Sequence, residues 1–491
     1  MILLKTFIVL TVLTVAAYSL LLACLHGSAK QIGWKPIYAL VICYAAAAFL
    51  PSLYLVYLCL FVVNALLARC RNDVLAIFLL CFVMMPELNA PLTVGSAYLF
   101  DLSAQTSLSL GALASLALRG GAERGAAGKS HFFFMTIITC MIVIMMRGAT
   151  LTACIRGTAI ILVDFGIPYL VFFAGARKPE SQSSILVTLS LAGAMLATIG
   201  IFEYITSWPT FVVINGHLGL RPSLLVAKFR AGHLRSAGPM GESTEMAFIL
   251  VFCLLATIAS RRNFKGVAEY TLVCGLISIG LLAPQSKGGW VGAGIGIIAV
   301  AAYRSTFARP GKFIAASTLS AVFLSVVWVF HAGNDPSNGS SAYRARLFKR
   351  GMEEFWQRPI FGDTLSSVMK RLQDLKQGEH IVDFVNSYLY FALMLGAIGL
   401  IAVLSGFMVP IARSWMLRSV KNEEGSTIDY ASFCFSCFIS AGVMFAFTSF
   451  IHRAVVLLMM FSLALTRRRR RFNNRTQRKK RFPSSPAVLE V

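Results

Sequence analysis

Two basic stretches carry the side chains best suited to binding an anion. In SAYRARLFKRGMEEFWQRPIFGDT (341–364), five Lys and Arg residues lie between Arg344 and Arg358. In AKFRAGHLRSAGPMGESTEMAFIL (227–250), Arg230 and Arg235 precede a Gly-Pro turn. The planar guanidinium group of arginine fits a phosphate well. The stretches therefore indicate recognition of a phosphate-containing group, and the alternative is charge scattered over a solvated surface.

A helical projection separates Arg344 from the other cations of the first stretch. At about 100° per residue, Arg344 falls at the N-terminal end of an apolar face, where an unpaired charge is costly. We therefore expect Arg344 to have an anionic partner, either a protein carboxylate or a ligand. The apolar face comprises Leu347, Phe348, Gly351, Met352, Phe355 and Trp356, and the polar face comprises Arg346, Lys349, Arg350, Glu353 and Gln357.

Glu242 and Glu245 in GESTEMA are candidates for acid–base chemistry. They fall in the first turn of a predicted helix, where the helix dipole favours acids and where Ser243 or Thr244 can cap the backbone. Helix capping is therefore the alternative to a catalytic role for both glutamates.

A third polar group, Asp383, Asn386 and Tyr388, stands where a predicted membrane span begins, in HIVDFVNSYLYF (380–391). Asp383 is one of few acids close to the basic helix, so we expect it to pair with Arg344 or to act as a base. Polar residues at such a position also serve as interface anchors.

The chain has no motif for a metal or an organic cofactor, and we expect neither. The GAGIG run after Lys287 lacks the strand context of a nucleotide fingerprint and favours close helix packing instead. Cys434 and Cys437 form a C-x-x-C inside an apolar run, where we interpret them as packing residues.

The composition predicts that these residues are positioned by membrane helices. Of the 491 residues, 57% are hydrophobic and 13% are charged, whereas soluble domains are about 25% charged. We predict an all-α polytopic membrane protein with about 12–15 transmembrane helices. The candidate spans are 4–25, 36–50, 53–68, 73–86, 98–118, 131–147, 157–176, 184–205, 242–260, 267–284, 288–304, 312–330, 387–411, 430–447 and 450–465. Asp164 is a lone acid within one of them.

The distribution of Lys and Arg among the loops predicts how the chain is oriented across the membrane. Short cytoplasmic loops are rich in Lys and Arg, and the basic tail, 466–491, reads as a cytoplasmic anchor for anionic lipid headgroups. Counting back from this tail places the large loops 206–241 and 331–386 outside. The side of the N-terminus stays open, and we do not expect a nucleic-acid partner. The predicted divisions are N-terminal helices 1–205, a core 206–411 that includes both external loops, C-terminal helices 412–465 and the tail.

Four motifs in this order resemble the O-antigen ligase/polymerase family of bacterial polysaccharide assembly. RSAGPMGESTEMA resembles that family's arginine-containing helix start, and SKGG resembles its Ser-Arg-Gly turn with Lys287 in place of the arginine. YRARLFKRGMEEFWQRPIFG is similar to its loop motif, and VNSYLYFALMLGAIGL to its membrane re-entry segment. The resemblance covers about residues 200–405.

The resemblance implies a GT-C-like, metal-independent glycosyltransferase in the bacterial inner membrane, with its active site facing the periplasm. The donor would be a glycan on polyprenyl (undecaprenyl) diphosphate, and other polysaccharide assembly proteins are possible partners. Family arginines hold the leaving diphosphate. The candidate catalytic residues are Arg235, Arg344 and Asp383, and the candidate substrate-binding residues are Arg346, Lys287, Arg230, Glu242, Asn386 and Tyr388.

One departure from the family pattern favours polymerisation. The ligase branch often carries a histidine before the Asn of the re-entry motif, and Val385 stands there in this chain. We therefore expect a polymerase of the exopolysaccharide type, which moves a growing chain onto the next lipid-linked repeat unit. The alternatives are a ligase that transfers the finished glycan, a transporter of the lipid-linked glycan, and a membrane protein without chemistry.

Overall fold

The computed structural model describes most of the chain. The predicted span 312–330 and the basic tail 466–491 lie outside the described residues, as does His380. The described residues are 1–94, 97–119, 131–176, 179–220, 228–230, 232–304, 338–376, 382–418 and 425–465.

The protein is an all-α polytopic membrane protein, as its composition predicts. Six of the described helical segments are long and apolar enough to cross a membrane by themselves, and six shorter apolar helices accompany them. The helices are Ile2–Cys24, Lys35–Phe49, Leu53–Leu66, Arg71–Met84, Ala104–Leu118, Phe132–Met146, Leu151–Ile161, Ile167–Gly175, Pro179–Thr206, Thr210–His217, Ser243–Ala259, Val267–Gly280, Lys287–Arg304, Asn338–Gln357, Leu365–Arg371, Ser387–Arg418, Gly425–Met444 and His452–Ala464, with 3-10 turns at Gly27–Ile32, Gly238–Met240, Arg261–Asn263 and Gln373–Leu375.

The predicted span 98–118 is wrong in its first part. Ala97–Ser103 is a β-strand that pairs antiparallel with Asn89–Val94, and the helix begins only at Ala104. The segment AYLFDLS alternates apolar and polar residues near its end, which suits a strand, and the Ser103 hydroxyl caps the helix by accepting from Thr106 N at 3.0 Å. The boundary between strand and helix is not visible in the sequence, because both belong to one continuous apolar run.

Asp164, the acid predicted inside a span, lies in a π-helical turn, Leu162–Gly166, that joins two helices. The Thr106 hydroxyl donates to Asp164 Oδ1 at 3.2 Å from the neighbouring helix Ala104–Leu118. The acid therefore pairs across helices. Cys434 and Cys437 are buried free thiols.

The described arginines that flank the short connections between membrane helices lie at one end of the helices, which we call the basic end. There Asp429 binds Arg304 at 2.8 Å, and Arg413 donates to the Leu465 carbonyl oxygen at 3.1 Å. Asn263 reaches Ser183 at 3.4 Å, which connects this end to the start of Pro179–Thr206. The arginines at this end include Arg69, Arg71, Arg119, Arg261, Arg262, Arg304, Arg413 and Arg418.

At the opposite end, the first basic stretch forms the helix Asn338–Gln357, here called the loop helix. Its buried positions include Tyr343, Leu347 and Gly351. A side chain on Gly351 would come within 2.8 Å of Leu389, so glycine permits the close approach to Ser387–Arg418. The predicted apolar face is therefore divided, because Leu347 packs inward while Phe348 and Trp356 stay exposed.

An ion network fixes the loop helix to the segment after it. Arg371 binds Glu354 at 2.5 Å and Asp363 at 2.9 Å, and Arg358 binds Asp363 at 3.0 Å. Burial alone would raise the pKa of Asp363, but the Thr364 N–H and the two arginines lower it below its ordinary value. The network holds the loop helix, the following turn and the helix Leu365–Arg371 as one unit.

The turn after the loop helix fills a break in Ser387–Arg418. Gly396 has φ +67° and Gly362 has φ +65°, and each glycine touches the backbone around the other. Ala397 N donates to the Pro359 carbonyl oxygen at 2.7 Å, and Asp363 N donates to that of Leu393 at 2.9 Å. The turn thus supplies hydrogen bonds at the point where the helix is interrupted.

Candidate active site

Arg230, Arg235 and Arg344 converge at the end of the protein opposite the basic end, here called the arginine end. Arg230 lies in a two-residue strand paired with His233–Leu234, and its Nη1 donates to the Gln285 carbonyl oxygen at 2.9 Å. Arg235 Nε donates to the Pro284 carbonyl oxygen at 3.2 Å. The turn before Lys287–Arg304 therefore orients both side chains. The arginine cluster denotes Arg230, Arg235 and Arg344 from here on.

The three guanidinium groups repel one another. Burial, and then the charge of Arg230, lower the pKa of Arg235 to about 10; Glu242 opposes this shift, and the charge of Arg344 lowers the pKa by a smaller amount. Arg344 is exposed rather than packed against the apolar face, but partial desolvation and the charge of Arg230 still lower its pKa, which Asp383 opposes. Among the described residues, no carboxylate oxygen lies within 4.0 Å of the arginine cluster, so the cluster carries an excess of positive charge.

A buried carboxylate, Glu203, holds the segment that carries Arg235. Glu203 is 2% exposed and lies near the end of Pro179–Thr206. Its Oε2 accepts from the Ser236 hydroxyl at 2.6 Å and from Gly238 N at 3.0 Å. Its Oε1 accepts from Thr210 N at 3.0 Å and from the Thr210 hydroxyl at 2.8 Å. Glu203 was not predicted as a site residue, although an acid near the end of an apolar span is itself unusual.

Asp383 stands near Arg344 because Tyr343 holds its backbone. The Tyr343 hydroxyl donates to the Asp383 carbonyl oxygen at 3.0 Å and accepts from Asp383 N at 3.1 Å. The Ser449 hydroxyl donates to Asp383 Oδ1 at 2.8 Å. The carboxylate is exposed and, within the described residues, it makes no ion pair with Arg344. Its position next to the cluster leaves it available to accept a proton.

Asn386 and Tyr388 make contacts within the protein. Asn386 Oδ1 accepts from Tyr388 N at 3.0 Å and from Leu389 N at 3.1 Å, which caps the helix Ser387–Arg418. The Tyr388 hydroxyl donates to the Gly442 carbonyl oxygen at 2.6 Å. Both contacts fix the helix that carries the re-entry motif, with Val385 just before it. A substrate-binding role for these two residues stays a prediction.

Three other predicted residues lie on the exposed surface of this end. Arg346 is exposed on the loop helix, and Lys287 is exposed at the first position of Lys287–Arg304. Glu242 occupies the N-cap position of Ser243–Ala259 without a side-chain cap bond, so capping by Ser243 or Thr244 does not occur. Instead, the Glu242 carboxylate accepts from Lys228 Nζ at 3.2 Å.

A buried ion group lies close to Glu242 and was not predicted. Arg453 is 1% exposed, and its Nε and Nη2 lie 3.9 Å from Glu245 and 3.7 Å from Glu87. Its Nη1 donates to the Val83 carbonyl oxygen at 3.2 Å. Burial raises the pKa of Glu87 above its ordinary value, opposed by Arg453. Arg453 therefore faces two carboxyl groups inside the protein, unlike the arginine cluster.

The described residues contain no group of three or more His, Cys, Asp or Glu side chains that could hold a metal ion. The arrangement at the arginine end is instead suited to an anion. Three guanidinium groups lie close enough to influence one another, and the Asp383 carboxylate lies near Arg344. Such an arrangement can bind a phosphate-containing leaving group and can receive a proton from an attacking hydroxyl.

Comparison with known families agrees with this geometry. Residues 272–404 match the Wzy_C family, described as O-antigen ligase. The match includes Lys287, Arg344 and Asp383, whereas Arg230 and Arg235 precede it. No curated protein matches the chain. The match confirms the resemblance to the O-antigen ligase/polymerase family over residues 272–404, which contain three of the four motifs.

Proposed function

We propose that the chain is a polymerase of a bacterial surface polysaccharide or exopolysaccharide. It transfers a growing glycan from polyprenyl diphosphate onto the next lipid-linked repeat unit. The observation that carries the proposal is the arginine cluster, three guanidinium groups at one end of the membrane helices that the described acids do not neutralise. A diphosphate on a lipid tail can supply the missing negative charge, because its tail stays in the bilayer while its head reaches the cluster.

The reaction follows from the positions of the charges. An acceptor hydroxyl attacks the anomeric carbon of the donor sugar, a new carbon–oxygen bond forms, and the bond to the diphosphate breaks with its electron pair leaving on oxygen. Arg235 and Arg344 stabilise the charge that develops on the diphosphate, with Arg230 beside them. Asp383 receives the hydroxyl proton. Because the arginines supply the positive charge, we propose that no divalent cation is needed and that activity persists in EDTA.

Loop charge supports the placement in the cell. The basic end carries the short Arg-rich loops, which favour the cytoplasm. The arginine end then faces the periplasm of a bacterial inner membrane, where the lipid-linked repeat units would be presented. The basic tail follows His452–Ala464, which ends at the basic end, and we propose that it binds anionic headgroups on the cytoplasmic side.

Purified protein supplied with lipid-linked repeat units tests the proposal. A gel should show a ladder of polymer lengths for the unchanged protein. Arg344→Ala should abolish the ladder, whereas the matched change Arg346→Ala, two residues along the same helix, should keep most of it. A normal rate of polymerisation by Arg344→Ala would refute the assignment.

The ligase alternative predicts a different product. A ligase would leave single repeat units unpolymerised and would move a preformed long glycan onto an added lipid or protein acceptor. Val385, in place of the ligase branch's histidine, favours polymerisation. Transfer without a ladder in the same assay would therefore replace the proposal with ligation.

A further inference from the structure

The loop helix and the turn after it expose a group of large apolar side chains. Trp356 is 69% exposed and Phe361 is 68% exposed, with Phe348 and Ile360 also more than half exposed. Single exposed apolar residues are common, but a contiguous group usually marks an interaction surface. We call Phe348, Trp356, Ile360 and Phe361 the anchoring face.

The turn that carries Ile360 and Phe361 has a defined depth. It is hydrogen-bonded to the break in Ser387–Arg418, through Ala397 N and the Pro359 carbonyl oxygen. The helix from Ala397 to Arg418 has a length of about 33 Å at about 1.5 Å per residue. The hydrocarbon core of a bilayer is about 30 Å thick. If this segment spans the membrane, the break and the turn lie at the boundary between hydrocarbon and headgroups.

The anchoring face also lies beside an exposed apolar stripe of the helix Ser387–Arg418. Below the break, Ile398, Ile401, Leu404 and Met408 are exposed at helical spacing on the same membrane span. Beside the turn, Arg147 follows the membrane helix Phe132–Met146, and its Nη1 donates to the Phe361 carbonyl oxygen at 2.7 Å. The turn is therefore bonded to the ends of two membrane helices at the level where their apolar stripe stops.

We propose that the anchoring face inserts into the bilayer leaflet at the arginine end and contacts phospholipid acyl chains. Arg346 and Lys349 are exposed on the same helix, as expected for a helix that lies in the interface with its cations among the headgroups. Insertion fixes the height of the loop helix, and therefore of Arg344, at the level of lipid phosphates. That last consequence rests on the proposed function, whereas insertion itself does not.

Photocrosslinking of the full chain in vesicles tests the insertion. The vesicles contain phosphatidylethanolamine and phosphatidylglycerol and no polyprenyl lipid. Benzoylphenylalanine replaces Phe361 in one variant, Ile401 in a second as the lipid-facing control, and Arg346, which is exposed on the side of the loop helix away from Phe348, in a third as the polar-face control. After irradiation, mass spectrometry should find phospholipid adducts at positions 361 and 401, with several-fold fewer at position 346.

Two results would overturn the proposal. One is adduct formation at position 401 without any at position 361, which would place the turn in water. The other is loss of the position-361 adduct on addition of polyprenyl diphosphate while the position-401 adduct persists, which would assign the turn to the donor's tail. Because crosslinking needs no turnover, a protein that fails to polymerise glycan still gives a clear result.

Discussion

Replacing Glu203 by glutamine should reduce activity by displacing Arg235, although Glu203 itself does not touch the proposed substrate. The carboxylate accepts four hydrogen bonds, and two of the donors, Thr210 N and Gly238 N, are backbone groups that cannot turn away. An amide has one acceptor oxygen, so one of these buried N–H groups loses its partner. Such a loss costs about 1–3 kcal/mol, or about 5- to 150-fold in an equilibrium.

The assay is the rate of polymer formation at varied donor concentration. We expect kcat/KM of Glu203→Gln to fall within that range, because the segment carrying Arg235 no longer holds one position. Thermal unfolding in detergent, measured on the same sample, distinguishes displacement of the Arg235 segment from loss of folded protein.

The double variant Glu203→Gln, Arg235→Ala decides the mechanism. If Glu203 acts through Arg235, adding Glu203→Gln to Arg235→Ala should cost little further activity, since residues acting as one unit are not additive. Fully additive losses in the double variant would refute the positioning role. A fall in unfolding temperature large enough to account for the whole loss of activity would also point to a purely structural effect.

Three further predictions follow from the surrounding structure. Gly396→Ala should lower the unfolding temperature sharply, because its φ is +67° and a Cβ would meet the Ile360 carbonyl oxygen at 2.2 Å; Gly275→Ala, which meets nothing within 4 Å, is the matched control and should change it little. Asp363→Asn should remove a pH-dependent part of the stability: the lowered pKa of Asp363 means that its contribution is complete above the unfolded pKa of about 3.9 and is lost as the pH falls through the folded value. Unfolding curves of both proteins should therefore differ at pH 7 and converge in strong acid, and equal curves at pH 7 would contradict the prediction. Asp383→Asn should slow glycosyl transfer by about 10²- to 10⁴-fold with donor binding unchanged, as single-turnover and binding assays would show; an equal loss of donor affinity would instead assign Asp383 to binding.

The membrane helices could be predicted because their signal is local. Each apolar run of sufficient length became a helix wherever the structure describes it, apart from the strand Ala97–Ser103. That strand is specified by pairing with Asn89–Val94, and pairing across a turn is not visible in a window of apolar residues. The break at Gly396 was likewise hidden, because glycine within an apolar run is also typical of close helix packing.

Individual residues of the candidate site could be predicted, but their arrangement in space could not. The basic stretches pointed to Arg235 and Arg344 because charge is unusual in this chain. Their meeting with Arg230 depends on carbonyl oxygens of the turn before Lys287–Arg304, far away in sequence. Arg453 was overlooked because a single arginine at the start of an apolar run resembles a loop charge, and only the fold brings Glu87 and Glu245 to it.

The unneutralised charge of the arginine cluster has a consequence for the protein between turnovers. Three neighbouring guanidinium groups without a carboxylate partner among the described residues will attract a counter-ion whenever the donor is absent. Phospholipid phosphates and buffer anions then compete with the donor for the arginine cluster. Donor binding becomes an exchange of one anion for another. We therefore expect apparent donor affinity to weaken with sulfate, phosphate or citrate in the buffer, more than with chloride at equal ionic strength.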